Sequence, residues 1–163
     1  MTSALSNPAQ PGANGLPDLI IREAGETDLP AVLALYAQPD LDDGSVLALE
    51  DARRVFARFS LYPDYRLYVA AIGERVVGTF ALLIMDNLAH AGTPSGVVED
   101  VVVLAECQSQ RIGRRMMAFA RERCAERGCY KMALSSNLRR ERAHRFYEEI
   151  GFEKHGYSFR IAP

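Results

Sequence analysis

The chain has 163 residues, enough for one domain around one core. Apolar residues make up 48% and charged residues 25%, as in an ordinary globular protein, and the net charge of −2 gives no electrostatic reason to expect nucleic acid or an anionic membrane as partner. No uncharged apolar run is long enough to suggest a transmembrane helix.

The first 17 residues are rich in Ala, Pro, Ser, Asn and Gly and lack a basic segment followed by an apolar one. They are expected to be a disordered tail rather than a signal peptide, leaving one domain over residues 18–163. Residues 19–23 (LIIRE) suggest a first strand. Thr27 offers an N-cap, Pro30 is tolerated in a first turn, and Leu29, Val32, Leu33 and Tyr36 share a helical face, so a helix is expected to about residue 37. Residues 38–45 carry Pro, Asp and Gly and suit a loop. A second helix fits residues 47–61, with Ala52, Val55, Phe56 and Phe59 on one face and Pro63 beyond its end.

Residues 65–72 and 75–84 predict two strands joined by a two-residue turn at Gly73-Glu74. A loop leads to residues 96–104 (GVVEDVVVL), a β-branched strand. Ile112, Met116, Phe119, Ala120 and Cys124 then define a third helix that Gly128 stops. Residues 130–135 suggest another strand. Residues 139–150 suggest a fourth helix, with Ala143, Phe146, Tyr147 and Ile150 inward and Gly151 closing it. Residues 157–161 (YSFRI) suggest a last strand. This order predicts an α+β sandwich with a mixed sheet, and a right-handed crossover with parallel strands over residues 96–135.

The three cysteines, Cys107, Cys124 and Cys129, form no C-x-x-C pair, which favours free thiols in a reducing cytoplasm. His90, His144 and His155 are scattered, and no metal is expected. The chemistry concentrates at Gln108, Ser109, Gln110, Arg111, Ile112, Gly113, Arg114 and Arg115, a turn that opens the third helix. Free N–H groups and the positive helix end suit a phosphate there, and three arginines oppose the helix dipole, which asks for a compensating anion. A solvated basic helix start is the plainer alternative.

This turn resembles the acetyl-CoA pyrophosphate loop of the GCN5-related N-acetyltransferases, Q/R-x-x-G-x-G/A. Gln108 fills the first position and Gly113 the last, and Arg111 replaces the middle glycine. Gly96 to Val103, with Glu99-Asp100 inside it, resembles the family's fourth strand. Asn137 followed by Ala143, Phe146, Tyr147, Gly151 and Phe152 resembles its closing motif. The three motifs occur in the family's order, and the resemblance spans residues 19–161. Shorter stretches are also similar to glucosamine-phosphate and polyamine acetyltransferases.

The resemblance implies a mostly antiparallel mixed sheet with a splayed parallel pair of central strands. It implies acetyl-CoA as co-substrate, held by Val101, Val102 and Val103, by the turn from Gln108 to Arg114, and by Asn137, Phe146 and Tyr147. The backbone of Val101 and Val103 would pair with the pantetheine arm, and a nearby N–H would face the thioester oxygen. A primary amine arrives protonated, with a pKa of about 10.4. Glu99 is the candidate base, and alternation sets it, rather than Asp100, on the face of Val101 and Val103. A structural carboxylate paired with an arginine is its alternative.

Tyr147 is the candidate general acid, with a packed core tyrosine as the alternative. Asn137 has an ordinary helix cap as its alternative. Arg139, Arg140 and Arg142 could meet the CoA 3′-phosphate, although a solvated face suits most of them. A small-molecule amine is the expected acceptor. A protein or peptide acetyltransferase, a non-catalytic acyl-CoA-binding module and an arginine-based interaction domain are the alternatives. A homodimer is compatible with the resemblance.

Overall fold

The computed structural model describes residues 18–162 except 40, 42 and 43; the expected N-terminal tail therefore lies outside the described residues, as does part of the 38–45 loop. Five strands form one sheet in the order β1-β2-β3-β4-β5. They are β1 (Leu19–Glu23), β2 (Tyr65–Ile72), β3 (Arg75–Met85), β4 (Ser95–Val103) and β5 (Lys131–Leu134). The helices are α1 (Leu29–Tyr36), α2 (Leu49–Phe59), α3 (Ile112–Glu126) and α4 (Glu141–Glu149). The first four strands are antiparallel neighbours, whereas β4 and β5, joined through α3, are parallel.

The two sheet faces bury separate clusters. Period-two alternation sends Leu67, Val69 and Ala81 to one face, where Leu29 and Val32 of α1 cover them and Phe56 and Phe59 of α2 pack at the margin. The other face carries Phe80, Leu82 and Val98 against Ile112, Met116, Ala120 and Cys124, one stripe of α3. Phe80 and Tyr68 stack with centroids 5.2 Å apart, and Phe119 meets Tyr68 edge-on at 5.2 Å.

Two glycines make the α3 contact close enough. A Cβ at Gly78 would lie 2.8 Å from Met116 Sδ, and one at Gly96 would overlap Cys124 Sγ. Both neighbours are buried, so neither can swing into solvent. Gly96→Ala is expected to destabilise the fold by about 1–3 kcal/mol, the usual range for overpacking. The check is a denaturant melt, in which the added substitution Cys124→Ala should recover much of the loss.

Several terminators act as the sequence predicts. Gly73 (φ 57°) turns the β2–β3 hairpin, and Gly128 (φ 70°) and Gly151 (φ 97°) end α3 and α4. Thr27 is not the cap of the first helix. A short 3-10 turn precedes α1, and Asp28 stands at its N-cap position. The Asp28 carboxylate instead accepts two bonds from Arg22, at 2.7 and 2.8 Å, and one from Gly25 N–H at 2.7 Å. The Arg22 hydrogen bond holds the Asp28 carboxyl below its ordinary range. Val55, expected inward, is 42% exposed, because α2 packs on this cluster through Leu49, Phe56 and Phe59 instead, with Ala52 buried.

The expected last strand does not form. Residues 152–162 carry no regular structure, and Tyr157, Phe159 and Ile161 stand in solvent. A strand pattern needs a neighbouring edge to satisfy its backbone, and among the described residues this segment joins none. The parallel β4–β5 pair consequently lies at one margin of the sheet rather than in its centre.

Candidate active site

β4 changes character halfway along. Ala81 pairs with Glu99, but Thr79 pairs with Val102, so β4 fits one more residue than β3 between these pairs. This β-bulge is centred on Asp100, which adopts φ 52°. The parallel pairing with β5 stops at Val98–Leu134, just before the bulge. Beyond it no pairing joins β4 to β5, which itself ends at Leu134.

The bulge also overturns the alternation expected for Glu99. Cross-strand partners share a face. Glu99 lies opposite Ala81, on the α1–α2 face, whereas Val103 lies opposite Gly78, on the α3 face. Glu99 therefore projects away from the face of Val103, across the strand from it. Regular alternation in the sequence could not reveal the extra residue.

On the α3 face a cleft of about 720 Å³ opens between the end of β4, the turn before α3, and α4. Val101, Val103, Ile112, Ala143, Phe146 and Tyr147 supply apolar lining, and Gln108, Ser109, Gly113 and the buried Cys107 complete that wall. Arg111, Arg114, Arg139, Arg140, Arg142 and Arg145 also line it, against only Glu141 and Glu149. Arg139, Arg140 and Arg142, most of which the sequence left to a solvated face, thus line the cleft together with Arg145. An apolar floor with a cationic rim suits a ligand with a neutral arm and several phosphates.

The turn before α3 is shaped for an anion. Ser109 (φ 67°) and Arg111 (φ 63°, ψ 10°) are left-handed, and Arg111 is followed directly by right-handed helix. Such a left-to-right alternation turns successive N–H groups toward one point, at the positive end of a 15-residue helix. Gly113 lets α4 approach: a Cβ there would lie 3.0 Å from Phe146 Cζ. Arg115 does not join the cleft, because its guanidinium donates to Leu19 O at 2.7 Å. The left-handed geometry explains why glycine suits position 111 and why arginine costs about 1–2 kcal/mol there. Arg111→Gly is expected to raise stability by about 1 kcal/mol and to keep acetyl-CoA affinity within about tenfold. Paired melts and calorimetric titrations check this; a much larger loss of affinity would make the side chain itself a principal phosphate ligand.

Of the other residues singled out, Val102 is buried opposite Thr79 and does not line the cleft. Gln110 turns its side-chain amide toward Glu106 O at 3.4 Å. Asn137 stays outside too: its Oδ1 accepts from Arg139 N–H at 3.0 Å, and its carbonyl contacts His144 Nε2 at 2.9 Å. That arrangement is a turn preceding α4. Tyr147 is buried, and its ring meets Phe146 and Phe152 at 5.2 and 5.5 Å. Burial pushes its phenol pKa up, and Arg140 opposes that shift.

Among the described residues, no lysine or arginine forms an ion pair with Glu99. Its pKa is raised, first by partial burial and then by the Asp100 carboxylate. Tyr65, unremarked in the sequence, lies on the same face one register step away and stacks on Phe59 at 4.3 Å. Burial and the Asp100 and Glu99 carboxylates raise its pKa. An aromatic wall beside two carboxylates suits a cationic amine. Among the described residues, no group of His, Cys, Asp or Glu could hold a metal ion.

A family model described as "Acetyltransferase (GNAT) family" matches residues 30–152. The chain is 30% identical to the aminoalkylphosphonate N-acetyltransferase of Salmonella typhimurium, over 88% of this chain and 91% of that protein. It is 28% identical to the glucosamine 6-phosphate N-acetyltransferase of Trypanosoma brucei brucei, over 88% and 95% of the two chains. A solved Trypanosoma brucei acetyltransferase superimposes with a TM-score of 0.73 at 26% identity, covering 90% of this chain and all of the other.

Proposed function

Because the chain belongs to the acetyltransferase (GNAT) family, we propose that it transfers acetyl from acetyl-CoA to the primary amine of a small molecule by direct attack. The observation that carries this reading is the bulged β4. One side of it lines an arginine-rimmed cleft, and the other presents a carboxylate of raised pKa beside aromatic rings.

Acetyl-CoA supplies an activated thioester. Its phosphates fit the turn from Gln108 to Arg114 together with Arg139, Arg140, Arg142 and Arg145, and its arm fits the apolar floor along Val101 and Val103. The acyl end reaches the Glu99 side of β4 beyond Val98, where the pairing with β5 ends. Glu99 takes the proton from the incoming ammonium, directly or through a water, and its raised pKa makes it a better base near neutrality. Tyr147 lines the donor cleft and returns a proton to the departing sulfur. Tyr65 and Asp100 supply the aromatic and negative surroundings that hold the amine. We place the enzyme in the cytoplasm, a compartment that suits its three free cysteines.

The acceptors named for the two curated relatives both carry an amine and a phosphorus anion. An aminoalkylphosphonate and glucosamine 6-phosphate therefore head the panel to be assayed, followed by a polyamine and a lysine peptide. Release of free thiol with at least one small amine supports the reading, and turnover with the peptide alone would move the enzyme to protein substrates. Donor binding has its own expected result. At about 100-fold over its dissociation constant, acetyl-CoA should stabilise the fold by roughly 2.7 kcal/mol. An unchanged melt at saturation, with no heat in calorimetry, would remove the donor assignment.

A further inference from the structure

The end of α3 brings two of the three cysteines together. Gly128 is left-handed (φ 70°), and two main-chain bonds close the helix around it. Gly128 N–H donates to Ala125 O at 3.0 Å, and Cys129 N–H donates to Cys124 O at 2.9 Å. This double closure sets the residue after the glycine against the last inward residue of the helix. Here those residues are Cys129 and Cys124, and their thiols interact directly. Tyr130 N–H then bonds Pro94 O at 3.0 Å, and Lys131 starts β5. The pair therefore stands where the end of α3 meets the start of a strand.

The two sulfurs are unequal. Cys124 is buried over Gly96, where a Cβ would stand 2.3 Å from its Sγ. Burial, and then the Cys129 thiol, push its pKa up to about 12. Cys129 is only half-buried. Burial raises its pKa as well, but the Cys124 thiol and the Arg127 guanidinium pull it back, against the Asp64 carboxylate. Cys129 is thus the sulfur that meets solvent and ionises first, with Cys124 directly behind it. Cys107 stands apart, before the opposite end of α3. A vicinal pair of thiols in a reducing compartment stays open until an oxidant reaches it.

We propose that Cys124 and Cys129 are an oxidative modification site, closed by a hydroperoxide into a reversible disulfide that fastens the end of α3 to the start of β5. The Cys129 thiolate attacks one peroxide oxygen, the O–O bond breaks, and the other oxygen leaves as water or an alcohol after taking up the proton that Cys129 gave up. Cys129 is now a sulfenic acid. The Cys124 sulfur attacks the Cys129 sulfur, the S–S bond forms, and the hydroxyl leaves with the Cys124 proton as water. One peroxide is reduced for each pair of thiols oxidised. Because burial raises both thiols, the reaction is slow at neutral pH and quickens as pH rises, so the pair answers sustained exposure to peroxide rather than a brief pulse. The donor turn lies at the other end of the 15-residue helix and keeps its shape. This inference does not depend on the acetyl-transfer reading.

Hydrogen peroxide applied to the full chain, followed by alkylation, trypsin digestion and mass spectrometry, tests it. Arg127 separates the two cysteines, so cleavage leaves them on peptides 124–127 and 128–131, held together only by the new bond. The wild type should lose about 2 Da and two thiols, yield that linked pair, and release it on treatment with dithiothreitol, while Cys107 stays open to alkylation. The oxidised chain should also melt at a higher temperature than the reduced one, because the bond restricts the unfolded chain. In Cys129→Ser, Cys124 should stay reduced. In Cys124→Ala, Cys129 should instead gain about 16 or 32 Da, since no thiol resolves its sulfenic acid. Unchanged helical circular dichroism in both variants separates lost chemistry from lost fold. Four wild-type results would overturn the proposal: three intact thiols, a Cys129 that stops at its oxygenated acids, a disulfide to Cys107 or to a second chain in place of the 124–129 link, or a melting temperature that falls on oxidation.

Discussion

Tyr147→Phe is expected to lower kcat by roughly 10²–10⁴, the usual contribution of a positioned acid or base, while leaving the fold and the donor site in place. The substitution keeps a ring that packs on Phe146 and Phe152 and removes only the hydroxyl. Among the described residues that hydroxyl has no hydrogen-bond partner, so its loss orphans no buried group and should change stability by no more than about 1 kcal/mol. Burial holds the phenol protonated at neutral pH, and the guanidinium of Arg140 eases its ionisation when the proton leaves. Donor affinity should stay within about tenfold, so the loss should appear in kcat and in single-turnover rates. Near-wild-type turnover would return Tyr147 to the status of a packed core tyrosine.

Glu99→Gln is expected to act on the pH profile as well as the rate. On the proposed mechanism the wild-type carboxylate is the active base, so kcat/KM should rise as pH climbs through its pKa. Because burial and Asp100 raise that pKa, the limb should lie above the ordinary glutamate range. In Glu99→Gln the limb should vanish, leaving only the amine's own ionisation, and turnover should fall by roughly 10²–10⁴. Asp100→Asn removes a carboxylate that favours the protonated form of Glu99, so it should move the limb to lower pH. On the proposed mechanism Glu99 and Tyr147 serve different proton transfers, and their defects need not add. A profile unchanged in Glu99→Gln would leave the glutamate without a part in proton transfer.

Much of this molecule could be read from local patterns. The stripe from Ile112 to Cys124 and the glycines at 73, 128 and 151 each follow from periodicity or from a required positive φ. What escaped the sequence depends on non-local pairing. The bulge at Asp100 is an extra residue visible only against β3, and it moved Glu99 to the face opposite Val103. The gathering of Arg139, Arg140, Arg142 and Arg145 at the cleft depends on how α4 lies against the α3 turn. Asn137 matched a motif, yet it folds back on Arg139. The alternation of 157–161 was legible as a strand, but alternation names no partner, and among the described residues this segment pairs with no strand.

The two sides of β4 make one claim together: an acetyl group carried in the arginine-lined cleft is handed to an amine beside Glu99. The most direct measurement uses acetyl-CoA with an isotopically labelled acetyl group and the panel of small amines. Released thiol is followed in parallel with the mass of the acceptor. The account predicts that label appears on the amine nitrogen in equal amount to the thiol set free. Tight donor binding with no thiol release from any amine, or thiol release matched by free acetate instead of acetylated amine, would contradict it.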